Sequence, residues 1–505
     1  MQLSKENLKK ITAQPKLNVP DQKIFGLPEK VLQFGTGVLL RALPDYFIDK
    51  ANKQSVFNGR VVVVKSTESD SSSFDKQNGL YTVCVRGIEN GKTISENIIN
   101  ASVSRVLSAK TEWQRILECA HNPEMKIVVS NTTEVGIQLV DDDISAHPPV
   151  SFPGKLLAFL FERFKAFKGQ PDKGMIIVPT ELITDNGSKL ESIVLELAHQ
   201  NNLDYKFIEW LENYNTFCNS LVDRIVPGKP NKEEKKNIEE SLGYEDDLMT
   251  MSEVFRLWAI EGGEKVKEAL SFHKVDNAVV IAPDITLFKE LKLRLLNGTH
   301  TFNCGTAFLC GFNITRDAVQ DPVYGAFTKK LMHEEIAPSI PYKIDAKKKE
   351  EFANSTFERF CNPFIDHQWQ SITVQVTSKM KMRNVPLLQK HYEESSNPPM
   401  CMATGFAAFL LYMKVVKKDG GKYYGERNDE LYEIKDDSSE YFYETWSNNS
   451  VDGVVQQVMC NKELWETDLT ELPGFLNAVK EQLNDMMQSG VLSVVKAVVS
   501  GKVVV

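Results

Sequence analysis

The chain has no long apolar run, no closely paired cysteines and no excess of positive charge. None of its 505 residues belongs to a stretch approaching the roughly 20 apolar residues that a bilayer-spanning helix needs, which excludes an integral helical membrane protein. The opening residues, Met1-Gln-Leu-Ser-Lys-Glu-Asn-Leu-Lys-Lys, are polar and mixed in charge, and no apolar segment follows them. A secretory signal is therefore not expected, and a cytoplasmic location is. The eight cysteines form no Cys-x-x-Cys pair, and the histidines form no His-x-His or His-Glu-x-x-His group. Reduced thiols fit better than a disulfide framework, and no metal is expected. A net charge of −9 argues against a nucleic-acid partner or an anionic membrane surface. An anionic ligand would need a local cationic pocket against that global field. Internal repeats and low-complexity segments are also missing, so a solenoid is excluded.

What is present is the composition of a soluble globular protein, 42% apolar and 25% charged. The length exceeds one ordinary core and predicts two domains, 1–285 and 286–505. The first half alternates β-rich runs with amphipathic segments, as a parallel α/β sheet requires. Strands are expected at 30–34, 59–64, 126–130, 174–179 and 279–282, with helices at 39–52, 111–120, 153–167 and 188–200. Residues 80–88 and 93–99 read as a hairpin, and the charged run after Gly228 reads as a solvated excursion. Beyond about residue 285 the periodicity turns helical, with helices expected at 287–310, 321–337, 346–361, 368–376, 403–413 and 474–489. The fold class is thus α/β, a Rossmann-like first domain with a mostly α-helical second. The valine-rich C-terminus suggests no assignment.

Val31-Leu-Gln-Phe34-Gly35-Thr36-Gly37-Val-Leu-Leu40-Arg41 places two glycines between a strand and a helix. Such a turn lets backbone approach a dinucleotide pyrophosphate at the helix start. Leu40 stands where the usual fingerprint has its third glycine. Arg41 could bind phosphate, point to substrate or lie on the surface. The second strand runs into Lys65-Ser66-Thr67-Glu68-Ser69-Asp70. Glu68, with Asp70 behind it, is the candidate for the ribose hydroxyls and favours NAD over NADP, although Lys65 blurs that preference. Ser130-Asn131-Thr-Thr-Glu134 follows a further strand and makes Asn131 a candidate for the same crevice.

In the second half, Lys292, Asn297 and His300 occur at offsets of five and eight in an otherwise apolar helical run. At roughly 100° per residue Asn297 lies about 140°, and His300 about 80°, around the helix from Lys292. All three can face one cleft. A lysine can donate or accept a proton, an asparagine can donate to an oxyanion, and a histidine can orient either. The same residues also read as a surface lysine, a cap and a core histidine.

Taken together these residues resemble the mannitol dehydrogenase family of long-chain polyol dehydrogenases. Phe217-Cys-Asn-Ser-Leu-Val222-Asp223-Arg224-Ile225-Val-Pro227 is similar to its Val-Asp-Arg-Ile signature. Lys292, Asn297 and His300 match its catalytic residues, and Gly35-x-Gly37 with Arg41 its nucleotide loop. Gln33-Phe34-Gly35, Gly79-Leu80-Tyr81-Thr82, Pro179-Thr-Glu181-Leu182-Ile183, Asn362-Pro-Phe-Ile365 with His367-Gln368, and Gly425-Glu-Arg-Asn428 are closest to the uronate-reducing branch. Polyol-oxidising members carry Asp-Asn where this chain has Glu181-Leu182, and Leu182 cannot replace that second amide donor.

The resemblance implies reversible hydride transfer between NADH and a keto-uronate, D-tagaturonate becoming D-altronate. It implies Lys292 as general acid/base, Asn297 as oxyanion donor and His300 as the orienting group. Phe34, Gly35, Thr36, Gly37, Glu68 and Asn131 are implied at the cofactor, and Arg41, Lys379 and Arg383 at the substrate. A lysine in this role needs its ordinary pKa near 10.4 lowered toward about 7–8, for which burial in an interdomain cleft is expected. A fructuronate-reducing enzyme, a mannitol-type polyol dehydrogenase and a catalytically silent NAD-binding protein are the alternatives. The partner is expected to be a small keto-uronate or aldonate, with the chain a monomer or small homo-oligomer.

Overall fold

Arg60–Lys65 reads Arg-Val-Val-Val-Val-Lys and is buried along its whole length. A β-branched run of this kind forms a strand covered on both faces, as parallel sheets are. In the computed structural model, which describes residues 1–66, 71–132 and 135–501, it is the second strand of a six-stranded sheet. Across the sheet the order is Val103–Ser108, Arg60–Lys65, Glu29–Phe34, Ile127–Ser130, Ile176–Pro179 and Thr216–Phe217, with every neighbour parallel. Counted along the chain this is 3-2-1-4-5-6, the doubly wound order. The direction of winding reverses between Glu29–Phe34 and Ile127–Ser130. The carboxyl ends of those two strands deliver Gly35 and Asn131 to the switch point.

The expected strand at 279–282 forms as Val279–Ala282 but lies outside this sheet. It pairs with Leu257–Glu261 in a separate three-stranded sheet completed by Ser220–Asp223. The hairpin, Tyr81–Glu89 with Lys92–Asn100, belongs to a third sheet with Leu17–Asn18 and Thr250–Glu253. The helix expected at 39–52 is two helices, Val38–Ala42 and Pro44–Lys53. Pro44 cannot continue a helical hydrogen-bond ladder and is accommodated at the start of a new helix.

The chain divides into two compact units: Met1–Gly87 with Thr93–Ile285, and Ile88–Lys92 with Thr286–Val505. The second is built around Met400–Tyr412, whose residues are almost all buried and which packs on Thr299–Leu309 and Phe475–Ser489. Gly405 permits this approach, because a Cβ there would lie 2.8 Å from that of Phe302. One feature of this unit departs from the helical expectation, and another gives form to a segment whose sequence suggests none. Lys417–Asp419, Lys422–Arg427 and Glu430–Ile434 form an antiparallel sheet, and the valine-rich end is a helix, Val491–Ser500. No helix of the described residues is long and apolar enough to cross a membrane.

Candidate functional site

The first unit carries a cavity of about 500 Å³ at the sheet's switch point, lined among others by Gly35, Thr36, Gly37, Ser66, Asn131 and Thr132. Gly35 has φ +127°, and a Cβ there would meet Leu40 Cδ1 at 2.9 Å and the Asn131 carbonyl oxygen at 3.0 Å. Only glycine fits both constraints. Leu40, standing in place of a third glycine, is fully buried. Gly37 precedes Val38–Ala42, and a Cβ there would meet nothing within 4 Å, so its backbone borders open space. Gly35 N donates to the Val64 carbonyl and Asn131 N to that of Phe34, which stitches the turn to its neighbouring strands. Backbone exposed this way, opening a helix, suits a dinucleotide pyrophosphate.

The expected residues are placed unequally. Thr36, Gly37 and Asn131 line the cavity, and the Asn131 amide is held by the Thr180 carbonyl and hydroxyl at 3.1 and 3.0 Å. The Phe34 side chain is buried against the Phe152 ring, 5.1 Å between centroids, so this residue reaches the turn through its backbone. Glu68 and Asp70 lie outside the described residues. Arg41 is buried away from the cavity lining. Its guanidinium lies 5.3 Å from the Tyr81 ring and 6.0 Å from that of Phe74, and it donates to the Leu248 carbonyl.

Glu181 is also buried. Its carboxylate accepts from the Thr132 backbone and hydroxyl at 2.9 and 3.0 Å and from the Ser130 hydroxyl at 3.1 Å, bracing the loop beside Asn131. Leu182 is 60% exposed. The Val222–Ile225 signature has a structural office here. Arg224 is buried over the Tyr46 ring and donates to the carbonyls of Ala42 and Glu253, so it caps the short helix where the chain breaks before Pro44. Sequence reasoning placed the polar residues after Ser130 in this crevice, Thr132 among them, but passed over Ser66, Phe152 and Lys155 as cavity residues. A Ser-x-Pro helix start at Ser151 was the one available signal for the last two.

The second unit holds the other expected residues. Thr286–Leu291 is α-helical, Lys292–Gly298 is a π-helix, and Thr299–Leu309 resumes the α form. This corrects the angular reckoning from sequence. A π-helix bonds residue i to i+5, so each residue turns through less than 100°. Asn297 thereby lies nearer the face of Lys292 than the roughly 140° of an α-helix. Both are half-buried, whereas His300 is buried.

Two further π segments, Leu331–Ile336 and Met380–Asn384, adjoin the first. Side chains tie the first segment to Met380–Asn384 in both directions. Arg294 Nη1 donates to the Met382 and Arg383 carbonyls at 2.8 and 2.7 Å, while Nε pairs with Glu290 at 3.0 Å. Asn384 Nδ2 donates to the Gly298 carbonyl at 3.2 Å. Arg383 donates to the Thr301 hydroxyl at 3.2 Å, and that hydroxyl donates to the Asn297 carbonyl at 2.8 Å. Lys379 donates to the Ile372 carbonyl at 2.9 Å.

The His300 ring lies 4.3 Å from Phe360, 5.3 Å from His367 and 5.8 Å from Trp369, centroid to centroid. Burial, followed by the fields of His367, Arg359, Arg383 and Lys379, holds its imidazole well below the ordinary value. It is neutral at physiological pH, with one ring nitrogen a donor and the other an acceptor. Its buried Nδ1 has no hydrogen-bond partner among the described residues. Burial and then Arg383 lower the Lys379 pKa, and burial lowers that of Arg383. The structure therefore brings Lys379 and Arg383 to His300, and adds Arg359 and His367, which sequence reasoning left without a role.

Comparison with known proteins covers both units. The mannitol dehydrogenase Rossmann domain matches residues 29–274, and the mannitol dehydrogenase C-terminal domain matches residues 284–487. An altronate oxidoreductase of Shigella flexneri is 38% identical over 479 residues, 93% of this chain and 96% of that protein. An altronate oxidoreductase of Bacillus subtilis (strain 168) is 36% identical over 469 residues, 92% and 94% respectively. Among solved structures, Pseudomonas fluorescens mannitol 2-dehydrogenase in ternary complex with NAD and D-mannitol has a TM-score of 0.69 at 21% identity. It covers 99% of this chain and 100% of that one. Substrate-free D-sorbitol dehydrogenase has a TM-score of 0.80 at 21% identity, covering 98% and 100%. At those identities the two structures speak for the fold.

Proposed function

The chain belongs to the mannitol dehydrogenase family, and from that premise we propose that it interconverts D-tagaturonate and D-altronate by reversible hydride transfer, with NAD as cofactor. It is a dehydrogenase acting on a CH–OH group. One observation carries the choice of a sugar acid over a neutral sugar: altronate oxidoreductases of two bacteria match over 90% of this chain at 38% and 36% identity. A uronate offers a carboxylate, which arginine can take in bidentate fashion and lysine as a point charge. Lys379 and Arg383 are assigned to it.

The nicotinamide, when bound, supplies or accepts the hydride. Gly35, Thr36, Gly37 and Asn131 would hold the dinucleotide, and the φ of +127° at Gly35 together with open space beside Gly37 supports that fit. The remaining chemistry falls to the second unit. In the reductive direction the keto oxygen gains negative charge and must be protonated. His300, neutral and buried, is a poor proton source, but it can orient the oxygen by a hydrogen bond. Lys292 donates the proton and takes it back in the oxidative direction. Asn297, brought nearer the face of Lys292 by the π turn, donates its amide N–H to the same oxygen. Leu182 supplies no second side-chain amide, so Asn297 carries this duty alone among the side chains discussed.

The test is to follow NADH absorbance with D-tagaturonate, D-fructuronate and D-fructose in turn. Oxidation fastest with tagaturonate is expected. Faster turnover of fructose would overturn the sugar-acid reading, faster turnover of fructuronate would overturn the epimer, and no turnover with any keto sugar would overturn the catalytic reading.

A further inference from the structure

Lys155 is the one ionisable side chain among the described residues lining the 500 Å³ cavity at the switch point. It sits in the first turn of the sixteen-residue helix Phe152–Phe167, whose N-cap Ser151 accepts from Gly154 N. The side chain is only 7% exposed. Its Nζ donates to the carbonyls of Val150 at 2.7 Å and Ser151 at 3.4 Å, which fixes the ammonium beside the cavity and leaves one of its three protons uncommitted.

The nearby acid does not claim that proton. Asp142 accepts from Val150 N, Ser151 N and the Ser151 hydroxyl at 2.8, 2.7 and 2.6 Å. Gly154 exists for this approach, since a Cβ there would lie 2.1 Å from Asp142 Oδ2. Burial accordingly outweighs Asp142 and lowers the Lys155 pKa. An ammonium buried without a paired carboxylate is costly, and a cap for two carbonyls does not by itself require a full charge. A ligand anion would account for it.

The nucleotide turn itself leaves room for such a cation. The helix opened by Gly37 runs only Val38–Ala42 before the break at Pro44, so few aligned peptide dipoles stand behind the glycine loop. A dinucleotide pyrophosphate carries two negative charges. We propose that Lys155 is a further cofactor-binding residue, its ammonium neutralising a phosphate of the dinucleotide opposite the Gly35–Gly37 turn. This rests on NAD as cofactor and is independent of which sugar acid is turned over.

Binding to the purified full chain tests it, read by NADH fluorescence and by displacement with ADP-ribose and adenosine. Lys155→Met is expected to weaken NADH and ADP-ribose by about 10- to 100-fold, the range of a charge-assisted hydrogen bond, and to leave adenosine unchanged. Lys155→Arg is expected to stay within about threefold of wild type, because it keeps the charge. In the wild-type protein, NADH is expected to shield Lys155 from acetic anhydride, read by peptide mass spectrometry, whereas adenosine is not. An unchanged NADH affinity in Lys155→Met overturns the proposal. So does an equal loss for adenosine, which would mark Lys155 as a structural cap only. Should Lys155→Met not fold, absence of NADH protection in the wild type overturns it.

Discussion

Replacing Arg294 by methionine isolates the contribution of one clamp to both stability and catalysis. Its side chain is 8% exposed and makes three bonds, to the carbonyls of Met382 and Arg383 and to the Glu290 carboxylate, itself 18% exposed. Methionine fills most of the volume and removes all three. Two carbonyls in the π segment Met380–Asn384 then lose a cationic donor, at roughly 1–2 kcal/mol each, and Glu290 loses its partner, for a further ~1 kcal/mol. A total loss of about 3–5 kcal/mol follows. At roughly 2–4 °C per kcal/mol for a unit of this size, the unit's unfolding midpoint is expected to fall by about 6–20 °C. Calorimetry reads this as the transition of the second unit, since two units need not unfold together. Because Arg383 is carried by the released segment, KM for the keto acid is expected to rise about tenfold or more, with the NADH dissociation constant unchanged. Wild-type unfolding together with a wild-type KM would show that the π segments hold their geometry without Arg294, and the reasoning would fail.

Four other outcomes can be stated briefly. Lys292→Ala is expected to abolish turnover while NADH binding survives; loss of NADH binding with turnover retained would remove Lys292 from the chemistry. Asn297→Ala is expected to lower kcat by about 10²–10³, the cost of one oxyanion donor, and an effect below about threefold would mean that another group does this work. Gly35→Ala forces a Cβ into Leu40 and the Asn131 carbonyl at a φ of +127°, so NADH affinity is expected to drop at least tenfold, as titration would show. Asp45 is fully buried and its pKa is pushed up to about 7, chiefly by burial. The folded state therefore holds a proton that the unfolded state has released between about pH 4 and 7, and stability falls as pH rises through that window, by up to about 4 kcal/mol. Asp45→Asn is expected to raise the unfolding temperature at pH 8 and to leave it nearly unchanged at pH 4; an equal shift at both would assign the effect to packing.

The parts of this molecule legible in its sequence are those whose physics is local. Val61–Val64 is a buried strand wherever it lies, and Gly35-Thr36-Gly37 between a strand and a helix marks a tight turn that exposes backbone. Pro44 was equally local, and its power to split the helix was visible but unused. What stayed hidden depends on partners remote in the chain. Val279–Ala282 has a strand's composition, but which sheet it joins is decided by Leu257–Glu261. Strands such as Lys417–Asp419 are exposed and charged and carry no alternation to detect. The π form of Lys292–Gly298 is supported by Asn384, some 90 residues away, and no periodicity in the segment itself reports it.

That hidden π segment bears directly on the roles proposed for Lys292 and Asn297. The π turn brings Asn297 nearer the face of Lys292, so the residues proposed as proton donor and oxyanion donor share one element. π-Helical hydrogen bonding is rare on its own, which explains why side chains are spent on holding it: Arg294 on the carbonyls of one segment, Asn384 on a carbonyl of the other, and Thr301 on the Asn297 carbonyl. Arg383 donates to Thr301, so a residue assigned to the substrate carboxylate is wired to the backbone of the residue assigned to the oxyanion.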